Sequence, residues 1–435
     1  MASLVKPNLL GLVIATAFLA GCAKPPDIAP LQSAVVGRPA RLGATLSESD
    51  FGRLVAHAVT TSTDLGHGDA ALRQAQANLL AESGPFLPQV SVGLHSTGEA
   101  GFSVGSFASL SQLIYDGGAS ASRQTAAQAR VLGSQVGRLD AACGAALGAV
   151  QAWAQVVTAR ALADAAERSL RASEATSAKI EARTKAGLGS SSEVLTTAYR
   201  LANDRAALAM AQSDVLQAEA IFAEAFGAPP KPDMALPPLA PRLPQSGAQG
   251  SPLLIRAQAE VFAAEADRTA ALAGRVPAVS LSLSAIPGER AVSGLAAQHA
   301  LSQARGRKAR IAAAEAQVEA RRVDLDATRR ELDSRLRILS AQESAIDGRV
   351  QAARAAAAAN KANLDIARGQ FQAGTRSLIE LLDAEREALS SEQVQIQADH
   401  DRAVVGYAIL AASGDLLDVF GIVLPSQPAA YQVHP

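Results

Sequence analysis

The chain has 435 residues, 49% hydrophobic and only 3% aromatic, with 40 basic against 41 acidic side chains. A net charge of −1 excludes a basic nucleic-acid surface. Two cysteines (Cys22, Cys143) and six scattered histidines form no zinc, HExxH, phosphate-loop or Ser-His-Asp arrangement, so an enzyme, such as a periplasmic hydrolase, is the poorer reading and no cofactor is expected.

Lys6 precedes an apolar run from Leu9 to Ala20 that closes on Leu19-Ala20-Gly21-Cys22. A charged start, a short apolar core and small residues before a cut describe an export signal over 1–21. The run falls short of the ~20 residues a membrane span needs. Its ending resembles a bacterial lipobox, which implies a covalent lipid on Cys22 as the mature N-terminus; an ordinary signal peptide with an incidental cysteine is the alternative. Ala23, where an aspartate is absent, favours the outer membrane by the same resemblance. Residues 22–50 carry four prolines between Lys24 and Leu46 and read as a lipidated tether, not a packed element.

Beyond it the chain repeats. Displaced by 187 residues, Ala186-Gly187 falls on Ala373-Gly374, Ser190 on Ser377, Glu193 on Glu380, Leu195 on Leu382 and Gly227 on Gly414. A displacement of 189 lays Pro88 to Leu94 on Pro277 to Leu283. Two copies of one unit are therefore predicted, over 51–226 and 253–413. A bridge with eight prolines from Pro229 to Pro252 joins them (227–252), and 414–435 forms a C-terminal tail.

Each copy reads in the same order. A medium helix (about Phe51 to Ser83, and Pro252 to Ala273) leads into a β-like hairpin (about 88–115, and 277–304). A long proline-free helix follows, then a glycine break at Gly187 or Gly374, then a second helix. The long stretches, Ala119 to Lys185 and Gly306 to Ala373, would each extend roughly 100 Å. Apolar positions step by three and four: Leu132, Val136, Leu139, Cys143, Leu147 and Val150 in one, Val318, Leu325, Leu332, Leu336, Leu339, Ile346 and Val350 in the other. That spacing is a coiled-coil seam, with Cys143 a small core residue on it. So few aromatics argue for thin helix-on-helix packing and against aromatic-anchored cores.

The hairpins are notable for missing charge. From Gln89 to Ile114 the only charged residue is Glu99, and from Ala278 to Ala304 only Glu289 and Arg290, each set beside glycine at a hairpin tip. Ser280, Ser282 and Ser284 alternate with Val279, Leu281, Leu283 and Ala285. Such alternation over about ten residues fits a membrane-barrel strand or a soluble two-stranded ribbon. Four strands cannot close a barrel, so the membrane reading requires oligomerisation.

Together these features resemble the TolC family of outer-membrane efflux channels, over roughly residues 48–415. Ser111-Gln112-Leu113-Ile114-Tyr115-Asp116-Gly117-Gly118 resembles its strand-to-helix junction, and Phe371 to Asp383 its signature at the tip of the second coiled coil. The second hairpin departs from the family: it has no aromatic residue, and its exit, His299 to Lys308, lacks Tyr-Asp-Gly-Gly. The resemblance implies a mainly α fold with a small β part: a homotrimer whose four strands per protomer build a 12-stranded transmembrane barrel continuing into a long coiled-coil α-barrel across the periplasm. It implies a periplasmic adaptor, an inner-membrane pump or ABC exporter, and outer-membrane lipid as partners, serving efflux or type I protein secretion. Adaptor-docking tips are implied at Ala186, Gly187, Leu188, Ala373, Gly374 and Thr375. Acidic entrance rings fall on Glu380 and Asp383, and a gate on Arg376, Glu193, Ser192 and Phe371, where the family often has tyrosine. Read without the resemblance, the glycines are plain helix caps and the charges a solvated helix face. A purely structural periplasmic coiled-coil lipoprotein is the competing class, which leaves the two uncharged hairpins without a purpose.

Overall fold

The computed structural model describes residues 24–36, 43–97, 103–242, 250–285, 292–298 and 304–425. Cys22 and the charged hairpin tips, Glu99, Glu289 and Arg290, lie outside them. Helices α1 (Ala29–Val36), α2 (Asp50–Thr61) and α3 (Thr63–Ser83) precede strands β1 (Gln89–Thr97) and β2 (Ser103–Tyr115). Helix α4 (Ala119–Lys185) then pairs with α5 (Ser191–Phe226). The second repeat runs α6 (Pro252–Ala273), β3 (Ala278–Ala285), β4 (Val292–Gln298), α7 (Ala304–Gln372) and α8 (Leu378–Ser413), closing on α9 (Leu416–Phe420). The long helices α4 and α7 have 67 and 69 residues.

The seam residues form the contact. Leu132, Val136, Cys143 and Val150 of α4 are buried, as are Val318, Leu332, Leu336, Ile346 and Val350 of α7. Cys143 is buried on that seam. α4 packs on α5 and α7 on α8, and the two coiled coils meet along α4 and α8.

Four strands form one antiparallel meander in the order β1-β2-β3-β4, which leaves β1 and β4 as edges. One face is apolar and open to the surroundings: Val90, Val92, Leu94, Leu110, Ile114, Leu281 and Leu283 are exposed. The opposite face carries the serines, with Ser91 and Ser109 hydroxyls 2.7 Å apart across β1 and β2. An apolar face with no protein against it is stable in lipid and unstable in water.

Three expectations are corrected. The helix expected from Phe51 to Ser83 breaks at Ser62, which ends α2 and whose hydroxyl accepts from the Asp64 amide to start α3. The hydroxyls of Thr60 and Thr61 donate to the His57 carbonyl at 2.8 and 2.9 Å, drawing the backbone out of helix. The stretch expected to be a tether is docked in part: Leu31 of α1 is buried among Ala129, Leu132, Ile255 and Ala259, and the Leu46 amide donates to the Val419 carbonyl at 3.1 Å. The tail begins as core, because Leu416, Leu417, Val419 and Phe420 are all buried.

Aromatic residues do anchor a core, by concentration at one level. Phe51, Trp153, Phe222, Phe226, Tyr407 and Phe420 form a knot with ring centroids 4.3–6.2 Å apart. Across this knot runs the proline-rich bridge. A proline segment has few amides, so its carbonyls take side-chain donors: Trp153 Nε1 donates to Ala235 at 2.7 Å, Tyr407 to Pro238 at 2.8 Å and Arg160 to Lys231 at 2.6 Å. Burial pushes the Tyr407 phenol well above its ordinary range, so it stays a donor.

Candidate functional site at the paired glycine turns

Both long helices end in the same turn. Gly187 and Gly374 have φ of 76° each, a conformation that glycine adopts without a Cβ penalty. At the first, the Gly187 amide donates to the Thr184 carbonyl at 3.0 Å and Leu188 to Arg183 at 2.9 Å. At the second, Gly374 donates to Phe371 at 3.0 Å and Thr375 to Gln370 at 2.9 Å. This double pattern is a Schellman motif, which satisfies the last carbonyls of a helix while reversing the chain. Ala186, Gly187, Leu188, Ala373, Gly374 and Thr375 are all exposed, and a Cβ built on either glycine meets nothing within 4 Å.

Each returning helix then starts with a capping box. The Glu193 amide donates to Ser190 Oγ at 3.2 Å while its carboxylate accepts from the Ser190 amide at 3.1 Å. The Glu380 amide donates to Ser377 Oγ at 3.3 Å, and its carboxylate accepts from the Ser377 amide and hydroxyl at 2.9 and 2.7 Å. Those hydrogen bonds, and more weakly the charge of Arg376, hold the Glu380 carboxyl below the usual glutamate range. Glu380 is fully exposed and stays ionised through mildly acidic pH.

Within one protomer each expected gate residue has its own local partners. Arg376 reaches the Gln370 side-chain oxygen at 3.4 Å, and the Glu193 carboxylate serves its own helix cap. Asp383 pairs with Arg386 on the same helix. Ser192 is exposed, its carbonyl accepting from the Thr196 hydroxyl at 2.9 Å. Phe371 bridges the two coiled coils: it packs on the cluster of Ile180, Leu378 and Leu382, with the Arg183 guanidinium 5.8 Å from its ring centre.

Sequence reasoning missed a polar cluster some 10–25 Å along the helices from the turns. Ser173 of α4 bonds Asp204 of α5, and Arg200 Nε lies 3.2 Å from the same carboxylate. Arg368 of α7 lies 3.6 Å from Glu385 of α8. Asp204 and Glu385 are each only 5% exposed, so charge is held where the coiled coils meet. Desolvation raises the Glu385 carboxyl above its ordinary value, opposed by the charges of Arg368 and Arg200. No short motif marks this cluster, since its members come from four helices.

Comparison with known proteins places this architecture. The chain matches the family described as outer membrane efflux protein over residues 54–228 and 243–414. It is 24% identical over 402 residues to outer membrane efflux protein BepC of Brucella suis biovar 1 (strain 1330), covering 85% of this chain and 86% of that protein. Its fold is similar to the crystal structure of VceC from Vibrio cholerae, with a TM-score of 0.76, 17% identity and coverage of 86% and 98% of the two chains. It is also similar to the open state of the Neisseria gonorrhoeae MtrE outer membrane channel, with a TM-score of 0.72, 20% identity and coverage of 85% and 90%.

Proposed function

The chain belongs to the outer membrane efflux protein family, a family of channels and not of enzymes, and from that premise we propose that it is the exit duct of a tripartite export system. Three protomers each supply four strands to a closed outer-membrane barrel, and the paired coiled coils continue it into the periplasm. A periplasmic adaptor meets the glycine turns and couples the duct to an inner-membrane pump. Small-molecule efflux is the favoured cargo class, in line with the name of the Brucella suis relative. The observation that carries this reading is the four-stranded sheet itself. Its apolar face is exposed and both edges are unpaired, a combination that closure with further copies inside a bilayer resolves.

Anchoring is expected from a lipid on Cys22, in line with Leu19-Ala20-Gly21-Cys22. Several acyl chains at ~0.8 kcal/mol per buried CH2 would hold the N-terminus firmly to the membrane. Cells fed a clickable fatty acid should label this protein and lose the label in Cys22→Ser. An unlabelled wild type removes the lipid.

At the periplasmic mouth, Glu380 and Asp383 are three apart and share a helix face, so three copies would form two acidic rings. Closure is expected to use Arg376 and Glu193 between neighbouring coiled coils. Such exposed pairs are individually worth only ~0–1 kcal/mol, which lets a modest differential affinity of an adaptor open them. Glu380→Gln is the informative neutralisation, because glutamine can still serve a capping box. In planar bilayers Glu380→Gln with Asp383→Asn should reduce cation selectivity, and Arg376→Ser should raise single-channel conductance. Because the Glu380 carboxyl is depressed, selectivity should persist below the ordinary glutamate midpoint. Unchanged current and selectivity in both variants would place the entrance elsewhere.

A further inference from the structure

Helix α7 begins with the charges that helix electrostatics disfavours there. Its first two turns carry Arg305, Arg307, Lys308 and Arg310, with no acidic residue in the first turn. The N-terminal end of a helix bears about half a positive charge, so cations at that end are repelled and anions favoured. The first repeat is built the other way. Displaced by 189 residues, Arg305 falls on Asp116, whose carboxylate accepts from the Gly118 and Ser120 amides at 3.1 and 2.7 Å to start α4. From Val292 to Ala314 the sequence holds no aspartate or glutamate. An acidic helix start in one repeat is thus matched by a basic one in the other.

The four cations divide between two faces. Arg307 donates to the Gly274 carbonyl at 3.3 Å, and with Arg310 it lines a concavity of about 750 Å³. Ser111 and Ser280 line the same concavity, so it lies on the serine side of the sheet. Positions two apart on a helix are separated by about 200°. Arg305 therefore opposes Arg307, and Lys308 opposes Arg310. Arg305 and Lys308 are both exposed and face away from that serine-side concavity. The Arg307 hydrogen bond also sets their level: Gly274 lies four residues before β3 begins at Ala278. The cations stand just beneath the strands.

We propose that Arg305 and Lys308 form an outward cationic shelf that binds the phosphates of anionic phospholipids in the leaflet at the base of the barrel. The inference rests on the membrane-barrel reading of the hairpins. An apolar face followed at once by an exposed basic step matches the order of a bilayer, where a ~30 Å hydrocarbon core gives way to headgroup layers. Lipid phosphate would be the anion met by Arg305 and Lys308. The shelf would fix the depth of the barrel and hold anionic lipid around it.

Full-length protein, its Arg305→Gln/Lys308→Gln variant, and a control Arg329→Gln/Arg330→Gln (exposed, ~36 Å further along α7) test this after reconstitution into vesicles of phosphatidylethanolamine and phosphatidylglycerol. After mild extraction, mass spectrometry counts the retained lipid. Wild type and control should enrich phosphatidylglycerol, and the shelf variant should lose that enrichment by about fivefold per cation removed. Equal enrichment in all three, or none in the wild type, overturns the shelf. A shift in the ion selectivity of the shelf variant would place the two residues in the lumen and also overturn it. Folded wild type that does not insert at all would overturn the membrane reading, and the shelf with it.

Discussion

Gly187→Leu and Gly374→Leu are each expected to reduce export by about tenfold or more, the equivalent of ~1.4 kcal/mol in coupling to the adaptor, while the protein still assembles. The physical basis is the separation of two effects at one position. A φ of 76° costs a non-glycine residue roughly 1–2 kcal/mol, which the long coiled coils can absorb. No neighbouring atom lies within 4 Å of the added Cβ, so the side chain meets only an outside partner. Asparagine, which tolerates the left-handed region, serves as the control: Gly374→Asn should keep more transport than Gly374→Leu. Cells that export normally with leucine at both turns would show that the turns are helix caps and nothing more.

Asp69→Ala is expected to destabilise the protein by about 3–5 kcal/mol, because it strands a buried guanidinium. Arg138 is 5% exposed and Asp69 9%, and the two are ion-paired between α4 and α3. Arg138 Nη1 also donates to the Pro425 carbonyl at 2.6 Å, which pins the end of the described chain. A Cβ added at Gly68 would stand 3.1 Å from Arg138 Cα. With the helices crossing so closely, the arginine cannot swing out to water. Replacing both partners by apolar residues, Asp69→Leu with Arg138→Met, should restore most of the loss, since burying no charge removes the desolvation penalty. The urea midpoint of detergent-solubilised protein distinguishes these outcomes. An Asp69→Ala variant within about 1 kcal/mol of wild type would show that the pair is relaxed by water.

What could be read from the sequence was whatever repeats locally. The 187-residue displacement, the three-four apolar steps and the charge-free strands each leave a mark along the chain. Other features depend on distant partners. Leu31 looks like tether until Ala129 and Ala259 are placed around it. The aromatic knot draws Phe51, Trp153, Phe222 and Tyr407 from helices far apart in sequence. Glu193 and Glu380 carry the spacing of a capping box in plain view, Ser190 and Ser377 three residues before them. Reading them by resemblance as gate and entrance groups passed over the helix starts they hold. Charge on a helix tip serves the nearest backbone first, and any channel role is added to that one.

The central claim is that one chain is an incomplete channel. The mass of the particle extracted intact from outer membranes in mild detergent tests it most directly. Edges at β1 and β4 and an exposed apolar sheet face require more than one copy of the chain, and the proposed channel predicts three, 44.5 kDa each before any processing. A stable particle containing a single copy would contradict the account.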